Sequence, residues 1–84
     1  MREEMKLILK SATRSLALRE REKEGSTQEK MAEELFMSKR SYADIECGVN
    51  ACSALTTVLL LMRLPSADAF LLQLKQDFEK TSDQ

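Results

Sequence analysis

The sequence predicts one all-α domain, a compact unit of five helices, and three observations predict it. Apolar side chains recur at spacings of three and four residues, which stacks them on one face of a helix. Chain breakers are sparse: the 84 residues hold two Gly, at 25 and 48, and one Pro, at 65. Capping hydroxyl residues (Ser26, Ser38, Ser53 and Ser66) stand where helices would begin. A sandwich or barrel needs many turns rich in Gly, Pro and Asn, which this chain lacks. Hydrophobic and charged shares of 43% and 32% fit a globular domain with a solvated surface, and the length leaves no room for a second domain.

Residues 2 to about 24 carry Met5, Ile8, Leu9, Ala12 and Leu16 on one stripe. The polar run Ser11, Thr13 and Ser15 weakens the middle, so one helix and two shorter ones both fit the pattern. Gly25 ends the block. Ser26-Thr27-Gln28-Glu29 has capping-box spacing, with Ser26 expected to accept from the amide of residue 29 and Glu29 to reach back. Met31, Ala32 and Leu35 give the second helix its apolar face, and it ends near Phe36. Ser38 caps a third helix, about 39–47, stopped by Gly48. A loop through 48–52 leads to Ser53, the cap of a fourth helix at about 54–64. That segment is apolar enough to read as a buried helix. Pro65 and Ser66 break it and open a fifth helix at about 67–80, with Phe70, Leu71, Leu74 and Phe78 on one side.

The stretch 27–48 carries the functional signal. Thr27-Gln28-Glu29, Ala32, Leu35, Met37, Ser38, Tyr42, Ile45 and Glu46-x-Gly48, followed by Ser53-Ala54-Leu55-x-Thr57-Val58, resemble the helix-turn-helix of the phage-repressor, Cro-type (XRE) family of DNA-binding proteins. The resemblance covers roughly residues 16–64. It implies a lambda-repressor-like five-helix domain with the helix-turn-helix in helices 2 and 3. It also implies that Lys39, Arg40, Ser41 and Asp44 hold the usual base-reading positions, next to the cap Ser38, and that Gln28 holds a usual phosphate-contact position. Phe36 stands where the family has Gly in the turn, Ser26 where it has Leu, and Cys52 where Pro is common. A bulky residue at φ > 0 is strained, so a turn built differently or slightly distorted is expected at Phe36.

Helical periodicity points the same way. At ~100° per residue, Tyr42 and Ile45 define a buried back on the third helix, with Arg40, Ala43, Asp44 and Cys47 pointing away and Lys39 and Ser41 on the flanks. A helix entering the major groove needs such an apolar back and a front of short or forked polar groups. Arg40 can fork onto guanine and Asp44 can accept from cytosine, whereas on a solvated face the two would simply pair at i,i+4 spacing.

Charge argues in the other direction. Thirteen basic against fourteen acidic residues give a net charge of −1. Residues 26–50 carry Lys30, Lys39 and Arg40 against Glu29, Glu33, Glu34, Asp44 and Glu46, a local −2. DNA binders ordinarily carry a basic surplus, so phosphate contact falls to helix-one cations such as Arg14, Arg19, Arg21 and Lys23. The expected function is a sequence-specific DNA-binding regulator, a repressor acting by occupying its operator as a dimer on two half-sites. Its partner is the major groove of double-stranded DNA. The fifth helix, with Phe70, Leu71, Leu74 and Phe78, either forms a homodimer or completes the core. The alternative is a protein-interaction or antitoxin-like module with weak or no DNA affinity.

Other classes are disfavoured. The chain has no His, no glycine-rich loop and no nucleophile flanked by a base, so neither an enzyme, a cofactor nor a metal site is expected. Cys47 and Cys52 are too few for a disulfide scaffold and lack zinc-ligand partners. A bond between them is geometrically permitted but disfavoured in a reducing cytosol. The longest apolar run, 54–62, is far below the ~20 residues that span a bilayer, and the first residues show no signal-peptide pattern. A cytoplasmic protein without membrane contact is expected.

Overall fold

Helix α1 (Arg2–Glu24) is the spine of the molecule. Against it pack α3 (Lys39–Glu46), α4 (Ala54–Met62) and α5 (Asp68–Ser82), while α2 (Gln28–Glu34) lies against α3. The structure, a computed structural model, describes residues 2–50 and 52–82, so Ala51 of the expected loop lies outside the described residues. No strand occurs among the described residues. At ~1.5 Å per residue α1 is about 35 Å long, which accounts for most of the 40 Å long axis of a particle 26 and 19 Å across the other two.

α1 is a single helix; the polar residues in its middle do not divide it. Ser11 and Ser15 are exposed. Thr13 is fully buried, and its hydroxyl donates back to the carbonyls of Leu9 (2.9 Å) and Lys10 (3.2 Å), so its own polar group is met within the helix. The buried stripe runs through Thr13, Leu16, Ala17 and Glu20, while Met5, Ile8, Leu9 and Ala12 are only half-buried.

Three helices end in the same way. In each, a residue at φ > 0 donates its amide three residues back, and the next residue donates five residues back, as a Schellman motif requires. The pairs are Gly25 to Glu22 and Ser26 to Arg21 after α1, Phe36 to Glu33 and Met37 to Ala32 after α2, and Gly48 to Ile45 and Val49 to Asp44 after α3. Gly25 and Gly48 adopt φ +64° and +76°, the region where a side chain is disfavoured. The connection at Phe36 is therefore not built differently: Phe36 takes φ +58°, the conformation a glycine would take there.

The start of α2 corrects the expected capping box. The cap is Thr27, whose hydroxyl accepts from the Lys30 amide, one residue later than Ser26. Ser26 is used by the end of α1, where its amide meets the Arg21 carbonyl, and its hydroxyl is buried without a partner among the described residues. Ser38 and Ser53 cap α3 and α4 as expected, accepting from the amides of Ser41 and Thr56.

The fully buried apolar residues are Leu16, Ala17, Met31, Ala32, Leu35, Tyr42, Ile45 and Leu60. α4 is not the buried helix its composition suggests: only Thr56 and Leu60 are buried, and Leu55, Val58 and Met62 face solvent. No side chain described on α5 is fully buried; Phe70 packs against the core edge, and Leu71 and Leu72 are exposed. Among the described residues no helix is long and apolar enough to cross a membrane.

Candidate nucleic-acid interface

α3 is short, and its position depends on one face. Tyr42, Ile45 and Glu46 are buried, at the i, i+3, i+4 positions that share one side of a helix. Tyr42 is completely enclosed and its hydroxyl donates to the Ala17 carbonyl of α1 at 3.3 Å. Burial, reinforced by the adjacent Glu46 carboxylate, pushes the pKa of that hydroxyl up, so it stays a neutral donor.

Glu46 is the unexpected member. Its side chain is 4% exposed. Arg21 Nε donates to Oε2 at 2.7 Å and Nη2 to Oε1 at 3.0 Å, a forked pair, and Gln28 Nε2 donates to Oε1 at 2.9 Å. The carboxylate thus ties α1, α2 and the end of α3 together. Burial works to raise the Glu46 pKa, but the hydrogen bonds from Arg21 and Gln28, the nearby Tyr42 hydroxyl and the charge of Arg21 outweigh it and hold the group below the usual carboxylate range. The Arg21–Glu46 pair spans 25 residues and leaves no local trace in the sequence. A signal was nonetheless present: Glu46 lies four residues after Tyr42, on the face already assigned to the core, where a carboxylate requires a cation.

The opposite face of α3 is open. Ser38, Lys39, Arg40 and Ser41 are exposed together at its N-terminal turn. Ser38 Oγ donates to Ser41 Oγ at 2.9 Å while accepting from the Ser41 amide. Lys39 and Arg40 have no ion-pair or hydrogen-bond partner among the described residues, so the i,i+4 pairing of Arg40 with Asp44 is not formed. Asp44 is half-buried and its Oδ2 accepts from Asn50 Nδ2 at 3.4 Å. Gln28 is set apart, beside the last residue of α3 rather than its first turn. Its amide gives one N–H to Glu46 and keeps the second. Arg21, expected among the free helix-one cations, is committed to Glu46; Arg14, Arg19 and Lys23 are exposed.

These ion pairs change the local charge. Arg63, the C-cap of α4, donates to both Glu24 and Glu34, at the ends of α1 and α2. Of the five acids in residues 26–50, Glu46 is therefore neutralised by Arg21 from outside that segment, while Glu34 shares the single charge of Arg63 with Glu24. With Arg21 and Arg63 added, and Glu24 because it shares Arg63, the count of −2 becomes −1.

Phe36 protrudes from the α2–α3 connection at 81% exposure while holding its positive φ. Both cysteines are free, Cys47 exposed and Cys52 half-buried. Burial pushes the Cys52 thiol up, with the Thr13 hydroxyl beside it working the other way, so it is not an activated thiolate. Among the described residues no group of three acidic, Cys or His side chains converges as a metal-ligand set. No protein-family model, curated protein or solved structure matches the chain.

Proposed function

We propose that the protein is a sequence-specific DNA-binding regulator, a repressor that acts by occupying its operator, with α2 and α3 as a helix-turn-helix and α3 entering the major groove. The observation that carries this reading is the two-sidedness of α3: Tyr42 and Ile45 anchor its back, while the unpaired Lys39 and Arg40 stand exposed with Ser38 and Ser41 on its front. Arg40 forks onto a guanine edge, Lys39 meets a base or a phosphate, and Asp44 accepts from a cytosine amino group once Asn50 yields. The free N–H of Gln28 and the exposed Arg14, Arg19 and Lys23 take phosphates. The regulator works as a homodimer through α5, whose Leu71 and Leu72 are exposed beyond the half-buried Phe70, Leu74 and Phe78. Titration with random duplex DNA at ~50 mM and at higher salt tests the reading, because phosphate contacts give a salt slope of several units. No binding at the lower salt removes it.

One observation favours a second reading, a protein-interaction or antitoxin-like module. Phe36 is solvent-exposed in a backbone conformation that disfavours it. A strained, protruding aromatic suits contact with a protein partner, since buried aromatics dominate interface energetics.

A further inference from the structure

α4 carries no charged residue in a chain where 32% of residues are charged. Its buried side is narrow, Thr56 and Leu60. On the opposite side Leu55, Val58 and Met62 are 65%, 52% and 73% exposed. Their spacing of three and four residues sets them in one line along the helix, the a–d–a seam through which helices pair. The flanking Thr57 does not interrupt this face, because its hydroxyl donates to the Ser53 carbonyl at 2.9 Å. The nearest charge in sequence, Arg63, is 16% exposed and is turned to Glu24 and Glu34. An open apolar stripe on a helix packed mainly against α1 from its other side marks an interaction surface.

We infer that this seam is a self-association surface whose occupant is the same seam of a second copy of the chain, paired antiparallel across a twofold axis. The lack of charge selects the occupant. Phosphates and charged peptides find no counter-charge here, whereas two copies meet without like-charge repulsion. Antiparallel pairing also sets each α4 N-terminus beside the C-terminus of its mate, the favourable arrangement of helix dipoles. The axis then passes near Val58, and Leu55 packs against the partner subunit's Met62. The size fits as well. The three side chains expose about 350 Å² per copy, and Ala54, Leu59 and Leu61 at the edges bring the face to ~500 Å², so a pair buries ~1,000 Å², the lower bound of a specific interface. That area gives an association that forms at micromolar or higher concentration, not an obligate dimer. The seam lies on a different helix from the α5 contact proposed above, so a dimer joined at α5 carries two free seams and pairs onward. The self-contact needs no DNA and stands whether or not the regulator reading holds.

Sedimentation equilibrium of the full chain without DNA, together with amide chemical shifts along a dilution series, tests this. The wild type self-associates, and its concentration-dependent shifts include Leu55, Val58 and Met62. Val58→Glu, which sets two carboxylates face to face near the axis, weakens association about tenfold or more while leaving the helical circular dichroism unchanged. Leu72→Glu, on α5, leaves the concentration-dependent α4 shifts in place. A charge swap reads the direction of pairing. Leu55→Glu combined with Met62→Lys associates more tightly than Leu55→Glu combined with Met62→Glu, because only antiparallel pairing brings position 55 against position 62 of the other copy. The inference is overturned if the wild type stays monomeric at ~1 mM, or if its shifts bypass α4. It is also overturned if Val58→Glu associates like the wild type, or if the charge swap gives no advantage. The wild-type dilution series decides the matter even where a variant fails to fold.

Discussion

Removing the Glu46 carboxylate tests how the α3 surface is held. Glu46→Ala deletes the acceptor of three hydrogen bonds, two from Arg21 and one from Gln28, at a side chain that is 4% exposed. Breaking a buried ion pair costs ~3–5 kcal/mol when the surviving charge is stranded. Here the survivor is Arg21, a quarter exposed, which regains water, so the expected loss is about 2–3 kcal/mol. For 84 residues the whole stability is about 4–13 kcal/mol, and each kcal/mol moves Tm by ~4–8 °C in a domain this size. Thermal unfolding followed by circular dichroism should therefore fall by about 8–24 °C. Arg21→Ala should cost at least as much at neutral pH, because it strands the more deeply buried partner. The pH dependence has a definite sign. The folded pKa of Glu46 lies below its unfolded value, so the stabilisation is present above the unfolded value of ~4.3 and is lost as pH falls through the folded one. Wild type should lose stability across that acid window, and Glu46→Gln should show a shallower dependence there. A loss under ~1 kcal/mol for Glu46→Ala, or equal acid sensitivity of wild type and Glu46→Gln, would refute the argument that this pair fixes α3.

Other expectations follow from single residues. Phe36→Gly should stabilise the fold by about 1 kcal/mol, since it relieves a positive φ and forfeits little burial. A lower midpoint in urea would show Phe36 making contacts its exposure denies. Thr27→Ala should cost about 1 kcal/mol as a lost N-cap, while Ser26→Ala, which removes a buried unpartnered hydroxyl, should be neutral or stabilising; the reverse order would restore Ser26 as the cap. Leu60→Ala, at a fully enclosed site, should cost about 2–5 kcal/mol by equilibrium unfolding. In the DNA assay, Arg40→Ala should relax preference at one base pair and weaken specific binding by about 1–3 kcal/mol. An unchanged preferred sequence would show that α3 reads DNA with another face.

The helices were legible because their signals are local. Periodic apolar residues, two glycines at positive φ and serines three residues ahead of amides act within one or two turns, and the sequence contains both ends of each interaction. Even the Glu46 requirement was visible in outline, as an acid on an apolar face. Its partner was not, because Arg21 lies 25 residues away and many other cations were equally available.

Sequence alone therefore determined the helical class, the order of the helical blocks, the buried back of α3 and the outward-facing Arg40, while tertiary structure showed the first block to be one helix. Tertiary structure decided which acids are paired, since Arg21 and Arg63 reach across helices to Glu46 and Glu34 and reduce the local negative charge. It also decided that Ser26 closes α1 instead of opening α2 and that α4 remains half exposed. The physical reason is one of range. Periodicity and capping are satisfied within a few residues, whereas ion pairing and burial depend on how rigid helices distant in sequence come to lie against each other.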